Sequence, residues 1–113
     1  MSDCIFCKIA EGEMRSDKVY EDDDLVAFKD VHPQAPVHLL VIPRRHIDSL
    51  NETDEQDQAL LGKLLIACRR VASEAGVGSA YRVVNNCGRE AGQSVSHVHL
   101  HVIGGRPMGW PPG

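Results

Sequence analysis

Three histidines occupy alternate positions in His97-Val98-His99-Leu100-His101. On a strand this spacing turns all three imidazoles to one face and Val98, Leu100 and Val102 to the other. One face then packs, while the other carries side chains able to act as nucleophile, acid, base or metal ligand near neutral pH. A packing surface would use valines, so three imidazoles on one short face point to chemistry. The competing reading is a metal site, because two imidazoles at i and i+2 can share a cation. Gly92-Gln93-Ser94-Val95-Ser96 stands immediately upstream. A glycine followed by small hydroxyl residues can bring backbone N–H groups and a hydroxyl against an anion, which a bare metal site does not require. Phosphate is the natural anion to expect.

The elements that would position these residues can be read from patterning. Residues 3–10 predict a short helix. Lys18–Glu21 and Leu25–Lys29 predict strands joined at the acidic turn Asp22-Asp23-Asp24, and residues 38–42 predict a buried strand ended by Pro43. Thr53-Asp54-Glu55-Gln56 has capping-box spacing. Beyond it, Leu60, Leu61, Leu64, Leu65, Cys68, Val71, Ala72 and Ala75 trace the apolar stripe of one long helix ended by Gly76. Gly62 interrupts that helix, either for a close helix approach across a dimer interface or by simple tolerance. Residues 81–86 and 97–103 predict two more strands, separated by a glycine-rich loop over 87–96. The expected class is α+β, a single two-layer domain over residues 1–113.

The chain has 113 residues with 12 basic against 16 acidic side chains, a net charge of −4. That length buries a usable core without disulfides, and the acidic balance argues against a nucleic-acid surface. No long apolar run and no leader-type pattern is read at its start, so a cytoplasmic protein away from membranes, with reduced cysteines, is expected. Cys4-x-x-Cys7 then reads either as a metal half-site or as two small apolar residues on a helical turn packed with Ile5, Phe6 and Ile9. Cys68 falls on the long helix's apolar stripe, and Cys87 falls in a loop.

The run Gly-Gln-Ser-Val-x-His-x-His-x-His closely resembles the signature of the histidine triad family. The resemblance extends through Asp30-Val31-His32-Pro33-Gln34-Ala35-Pro36-Val37-His38, Val41-Ile42-Pro43-Arg44-Arg45-His46 and Trp110-Pro111-Pro112-Gly113. The ending is similar to the histidine triad nucleotide-binding (Hint) branch rather than the Fhit-like branch. This resemblance implies a five-stranded antiparallel sheet continued across a homodimer. It also implies hydrolysis of purine nucleoside phosphoramidates to a monophosphate and an amine through a nucleotidyl adduct on His99. His38 and His101 would contact the phosphate oxygens, with Ser94 and the backbone of 92–95, through Gly92, Gln93 and Val95, completing the anion site. The carbonyl that holds the other nitrogen of His99 cannot be read from the sequence.

Asp30 would take the ribose hydroxyls and Asn86 would lie near phosphate and ribose. Ile5, Phe6, Ile9, Phe28 and Val31 would form an apolar slot for the base, although core packing explains each of them as well. Zinc-bearing relatives point to Cys4, Cys7, His46 and His97 as a structural zinc set, with no cofactor required for catalysis. The alternatives are a dinucleoside polyphosphate or acyl-adenylate hydrolase on the same site, and a non-enzymatic nucleotide-binding scaffold. His32 falls where the family has no fixed histidine, and Ser96 replaces an aromatic residue common before the first triad histidine.

Overall fold

A computed structural model describes residues 3–113. Helix α1 spans Ile5–Ala10, and strands β1 (Lys18–Glu21), β2 (Leu25–Lys29) and β3 (Val37–Pro43) follow. Helix α2 spans Gln58–Glu74, and the last strands are β4 (Tyr81–Val84) and β5 (Leu100–Gly104). The strands form one five-stranded sheet in the order β1-β2-β3-β5-β4, antiparallel at every pairing. The α+β class, the antiparallel sheet, the long helix and the short first helix are therefore as expected. No helix among the described residues is long and apolar enough to cross a membrane.

Local chemistry explains the turns. The Asp22 carboxylate accepts hydrogen bonds from the backbone N–H groups of Asp24 (2.8 Å) and Leu25 (3.0 Å), so the acidic triplet closes the β1–β2 hairpin through its own side chain. Capping before α2 sits one residue later than the Thr53 spacing suggested. Asp54 and Asp57 form the reciprocal box around a 3₁₀ turn, and α2 starts only at Gln58. Gly76, at φ 84°, ends the helix in the left-handed conformation.

Two apolar clusters lie on opposite sides of the sheet. Leu64, Ala67, Cys68, Val71 and Ala72 of α2 pack on Leu25, Ala27, Leu39, Val41 and Val102. On the other face Phe6, Ile9 and Ala10 of α1 cover Val26, Phe28, Leu40 and Ile42. β3 is buried on both faces, which is why its apolar run lacks alternation. The stripe on α2 is narrower than its sequence pattern, because Leu65 and Ala75 point to solvent, as does Ile66. A Cβ added to Gly62 would meet nothing within 4 Å, so no neighbour among the described residues explains that glycine.

The predicted last strand is shorter than its histidine pattern. β5 begins at Leu100, while the N–H of His97 bonds to the Val95 carbonyl (2.9 Å) and the N–H of Val98 to the Ile47 carbonyl (2.7 Å). The chain stays extended enough to keep the alternation, but loop segments satisfy its backbone there. β4 likewise stops at Val84, two residues early. At the far end of β5 a Cβ on Gly104 would lie 2.9 Å from Val77 Cβ, too close for either branched carbon to yield. Gly104→Ala should destabilise the protein by about 1–3 kcal/mol, the usual range for overpacking. Because alanine would keep the Val77 Cβ, the rescue is Val77→Gly: combined with Gly104→Ala it should cost less than the sum of the two single changes in denaturant unfolding, and a purely additive double variant would disprove the contact.

Candidate functional site

On the face opposite α2 a cavity of about 540 Å³ opens between α1, the segment after β2 and the loop before β5. Its volume is in the range of small-ligand sites. Ile5, Phe6 and Ile9 line it from α1, with Phe28, Asp30, Val31 and His32 from β2 and its exit, and Leu40 from β3. Ser94, Val95, His99 and His101 close one side. Val31 is 85% exposed, so it forms the rim rather than the floor. A second hollow of about 580 Å³, between the sheet and the end of α2, reaches Asp30 and His38 from behind but includes neither His99 nor His101.

The three alternate histidines do share one face. Phe6 meets the rings of His97 and His99 edge-on, with centroids 6.0 and 5.0 Å apart, and His99 stands 5.1 Å from His101. Hydrogen-bond partners assign the proton on each ring. His99 Nδ1 lies 2.7 Å from the His97 carbonyl oxygen, so Nδ1–H donates there and Nε2 keeps its lone pair. His38 Nδ1 accepts from the Gln34 backbone N–H at 3.0 Å, which puts the proton on Nε2. That N–H is 2.9 Å from His101 Nδ1 and 3.3 Å from Asp30 Oδ2. His101 Nδ1 is thereby an acceptor, and its Nε2–H is a buried donor without a partner among the described residues. An unprotonated nitrogen on His99 and an uncommitted N–H on His101 thus occupy adjacent rings beside the cavity.

Burial supports this assignment. Desolvation holds His38 and His97 below the ordinary imidazole range, opposed at His38 by the nearby Asp30 carboxylate. At His101 desolvation, with His99 and His38 alongside, pushes the value down to about 4. All three stay neutral at pH 7, so each ring offers one donor and one acceptor.

The loop residues separate into two groups. Ser94 and Val95 face the cavity, whereas Gln93 holds the loop. Its amide donates to the carbonyls of Asp48 (2.7 Å) and Val95 (3.0 Å), and its carbonyl accepts from the Gly88 N–H (2.9 Å). Gly92 is left-handed at φ 100°, and a Cβ added there would make an ordinary contact, 3.5 Å, with the Asn86 amide nitrogen. Asn86 therefore sits against the glycine of the loop. Its neighbour Asn85, which the sequence reading passed over, donates from Nδ2 to the His99 carbonyl at 3.0 Å. Two adjacent asparagines give no sequence signal to tell them apart, and the register Val84↔His101 continued past β4 sets Asn85 opposite Leu100, so only the side-chain geometry shows that Asn85 reaches the His99 carbonyl. Asp30 accepts from the His32 N–H at 2.8 Å through Oδ1, which fastens the turn it sits on.

Behind His99 lies a second cluster. The Nδ1 atoms of His46 and His97 are 3.2 Å apart, Cys7 Sγ is 3.2 Å from His46 Nδ1, and Cys4 Sγ is 3.3 Å from His97 Nδ1. All four ligand atoms lie within 4.8 Å of one another. His97 Nε2–H donates to the Pro43 carbonyl (2.8 Å) and His46 Nε2–H to Asp48 Oδ1 (2.6 Å). Both imidazoles thus turn lone pairs toward one point, where either the Cys4 and Cys7 thiol protons or a single cation can take them up. Tetrahedral zinc bond lengths imply N···N and N···S edges of roughly 3.3 to 3.6 Å, so this donor set fits zinc. Asp30, His38 and His101 also converge, but their mutual hydrogen bonds account for that grouping.

A HIT domain family model matches residues 11–108. An uncharacterized HIT-like protein from Synechocystis is 51% identical over 111 residues, covering 98% of this chain and 97% of that protein. The crystal structure of a HIT family hydrolase from Legionella pneumophila superposes with a TM-score of 0.96 at 46% identity, covering 98% of this chain and 100% of the other. A histidine triad nucleotide-binding protein from Candida albicans is more distant, with a TM-score of 0.82 and 31% identity over 98% of this chain and 85% of its own. With the match spanning the sheet, the cavity and the histidines, this chain belongs to the HIT domain family.

Proposed function

We propose that this protein is a nucleotide-binding hydrolase of the Hint type, cleaving the P–N bond of purine nucleoside phosphoramidates. The observation that carries the reading is the proton arrangement on the two adjacent rings. His99 Nε2 would attack phosphorus and the bond to the amine would break, leaving the nucleotide on that nitrogen. Nδ1–H stays on the His97 carbonyl and spreads the positive charge the ring gains. The His101 N–H and the loop at Ser94 would hold the phosphoryl oxygens, and the Ser94 hydroxyl would pass a proton to the departing amine and recover one from the water that later hydrolyses the P–Nε2 bond. Water then hydrolyses the P–Nε2 bond and releases the monophosphate. His38, with both nitrogens engaged, would act by keeping the His101 proton on the cavity side rather than by touching phosphate itself. Asp30 would take the ribose hydroxyls, and the apolar wall of Phe6, Ile9 and Phe28 the base. The Legionella relative, described as a hydrolase, and the Candida relative, described as nucleotide-binding, support the class.

The same reading includes a homodimer. Supporting it are β4, an edge strand of the sheet, and the exposed Gly62, Leu65 and Ile66 on α2. It also includes zinc held by Cys4, Cys7, His46 and His97. With all four positions supplied by protein, the ion would fasten α1 to the loop before β5 and leave no coordination site for substrate.

His99→Gly should lower turnover of an adenosine phosphoramidate by a factor on the order of 10³ or more while monophosphate affinity changes only a few-fold. Near-normal turnover in that variant would rule out the covalent route. Elemental analysis should find about one zinc per chain, and its removal should lower thermal stability. Metal-free protein with unchanged melting would refute the structural ion, and a chelator that stopped turnover without loosening the fold would indicate a catalytic one.

A further inference from the structure

The end of the cavity away from the histidines carries a polar atom that the mechanism does not use. Ser16 lines the same cavity as His99, yet its hydroxyl oxygen is shielded from water and has no hydrogen-bond partner among the described residues. Its place follows from the sheet. His99 and His101 lie on β5 and its approach, Leu40 on β3, Phe28 on β2, and Ser16 two residues before β1. The Lys29 N–H bonds to the Asp17 carbonyl at 3.0 Å, which ties this segment to the sheet edge. Three strand spacings of about 4.8 Å separate β5 from β1, roughly 14 Å in all. That span is comparable with a mononucleotide. The wall between the two ends is apolar, formed by Phe6, Ile9, Phe28 and Leu40.

We infer that Ser16 is a specificity-determining residue whose hydroxyl hydrogen-bonds the 6-substituent of the purine. The inference rests on the nucleotide reading above. With the phosphoryl group at His99 and the ribose at Asp30, the flat ring crosses the apolar wall, and the group left to reach Ser16 is the functional edge of the base. A hydroxyl both donates and accepts, so it suits a 6-amino or a 6-oxo purine and loses a partner only when position 6 is bare. An unpartnered buried hydroxyl burdens the ligand-free protein, and it is retained because the ligand satisfies it.

Calorimetric binding of adenosine 5′-monophosphate and of purine riboside 5′-monophosphate, which lacks the 6-amino group, tests this without relying on P–N cleavage. Wild-type protein should prefer the adenosine ligand by about three- to tenfold, the worth of one hydrogen bond. Ser16→Ala should bring the ratio close to one by weakening only the adenosine ligand. The melting temperature of the ligand-free variant should be no lower than that of the wild type, because the change removes a buried polar atom that nothing satisfies. An unchanged ratio in Ser16→Ala, or equal wild-type affinities, would overturn the role of Ser16 while leaving the nucleotide site standing. Failure of both ligands to bind the wild type would instead overturn the nucleotide reading, and this inference with it.

Discussion

An imidazole attacks through one nitrogen only while the other keeps the proton, and here the His97 carbonyl enforces that condition on His99. Much of the surrounding structure serves to keep this 2.7 Å contact in place. The His97 ring is fully buried and held on one side by Pro43, on the other by the Cys4, Cys7 and His46 cluster. The peptide after it is tied to Ile47. On the donor's side, the side-chain amide of Asn85, just past the end of β4, donates to the carbonyl of His99 itself. Donor and acceptor are thus each fixed by a separate set of partners, so little reorganisation is required when charge develops on the ring.

The polar atoms that remain unsatisfied lie where this logic leaves them. Among the described residues, buried side-chain atoms without partners are Ser16 Oγ, Asn85 Oδ1 and His101 Nε2. Two of these belong to residues that line the cavity, and the third belongs to the side chain that holds His99. A protein selected for stability alone would pair or remove such groups, since each carries a desolvation cost. Their concentration here separates the binding face of the sheet from the α2 face, whose core cluster is made entirely of apolar side chains and cysteine. The two faces are linked through β3, where Leu39 and Val41 pack on α2 while His38 and Leu40 turn toward the site.

Much of this was legible in the sequence because it depends on periodicity. Alternation placed His97, His99 and His101 on one face even though the regular strand begins only at Leu100, since the extended backbone continues upstream with loop partners instead of a neighbouring strand. The same period cannot report which segment satisfies a backbone, so the strand boundaries at residues 84 and 100 were missed. Apolar spacing along α2 could not show that Leu65 and Ala75 lie just outside the covered arc. Spacing also gave the Cys4–Cys7 pair but not its partners; residues 46 and 97 reach it only through the fold. The proton on each ring was beyond the sequence altogether, because it depends on the Gln34 N–H and the His97 carbonyl, backbone groups that every residue carries.

The central claim concerns where protons reside, and long-range ¹H–¹⁵N correlation spectra of the histidine rings read that directly. In ligand-free protein at neutral pH, His99 should be the Nδ1–H tautomer with an unprotonated Nε2, while His38 and His101 should both be Nε2–H tautomers. A His99 ring protonated at Nε2, or a His101 ring protonated at Nδ1, would contradict the account, because the nucleophile or the donor beside it would then be missing.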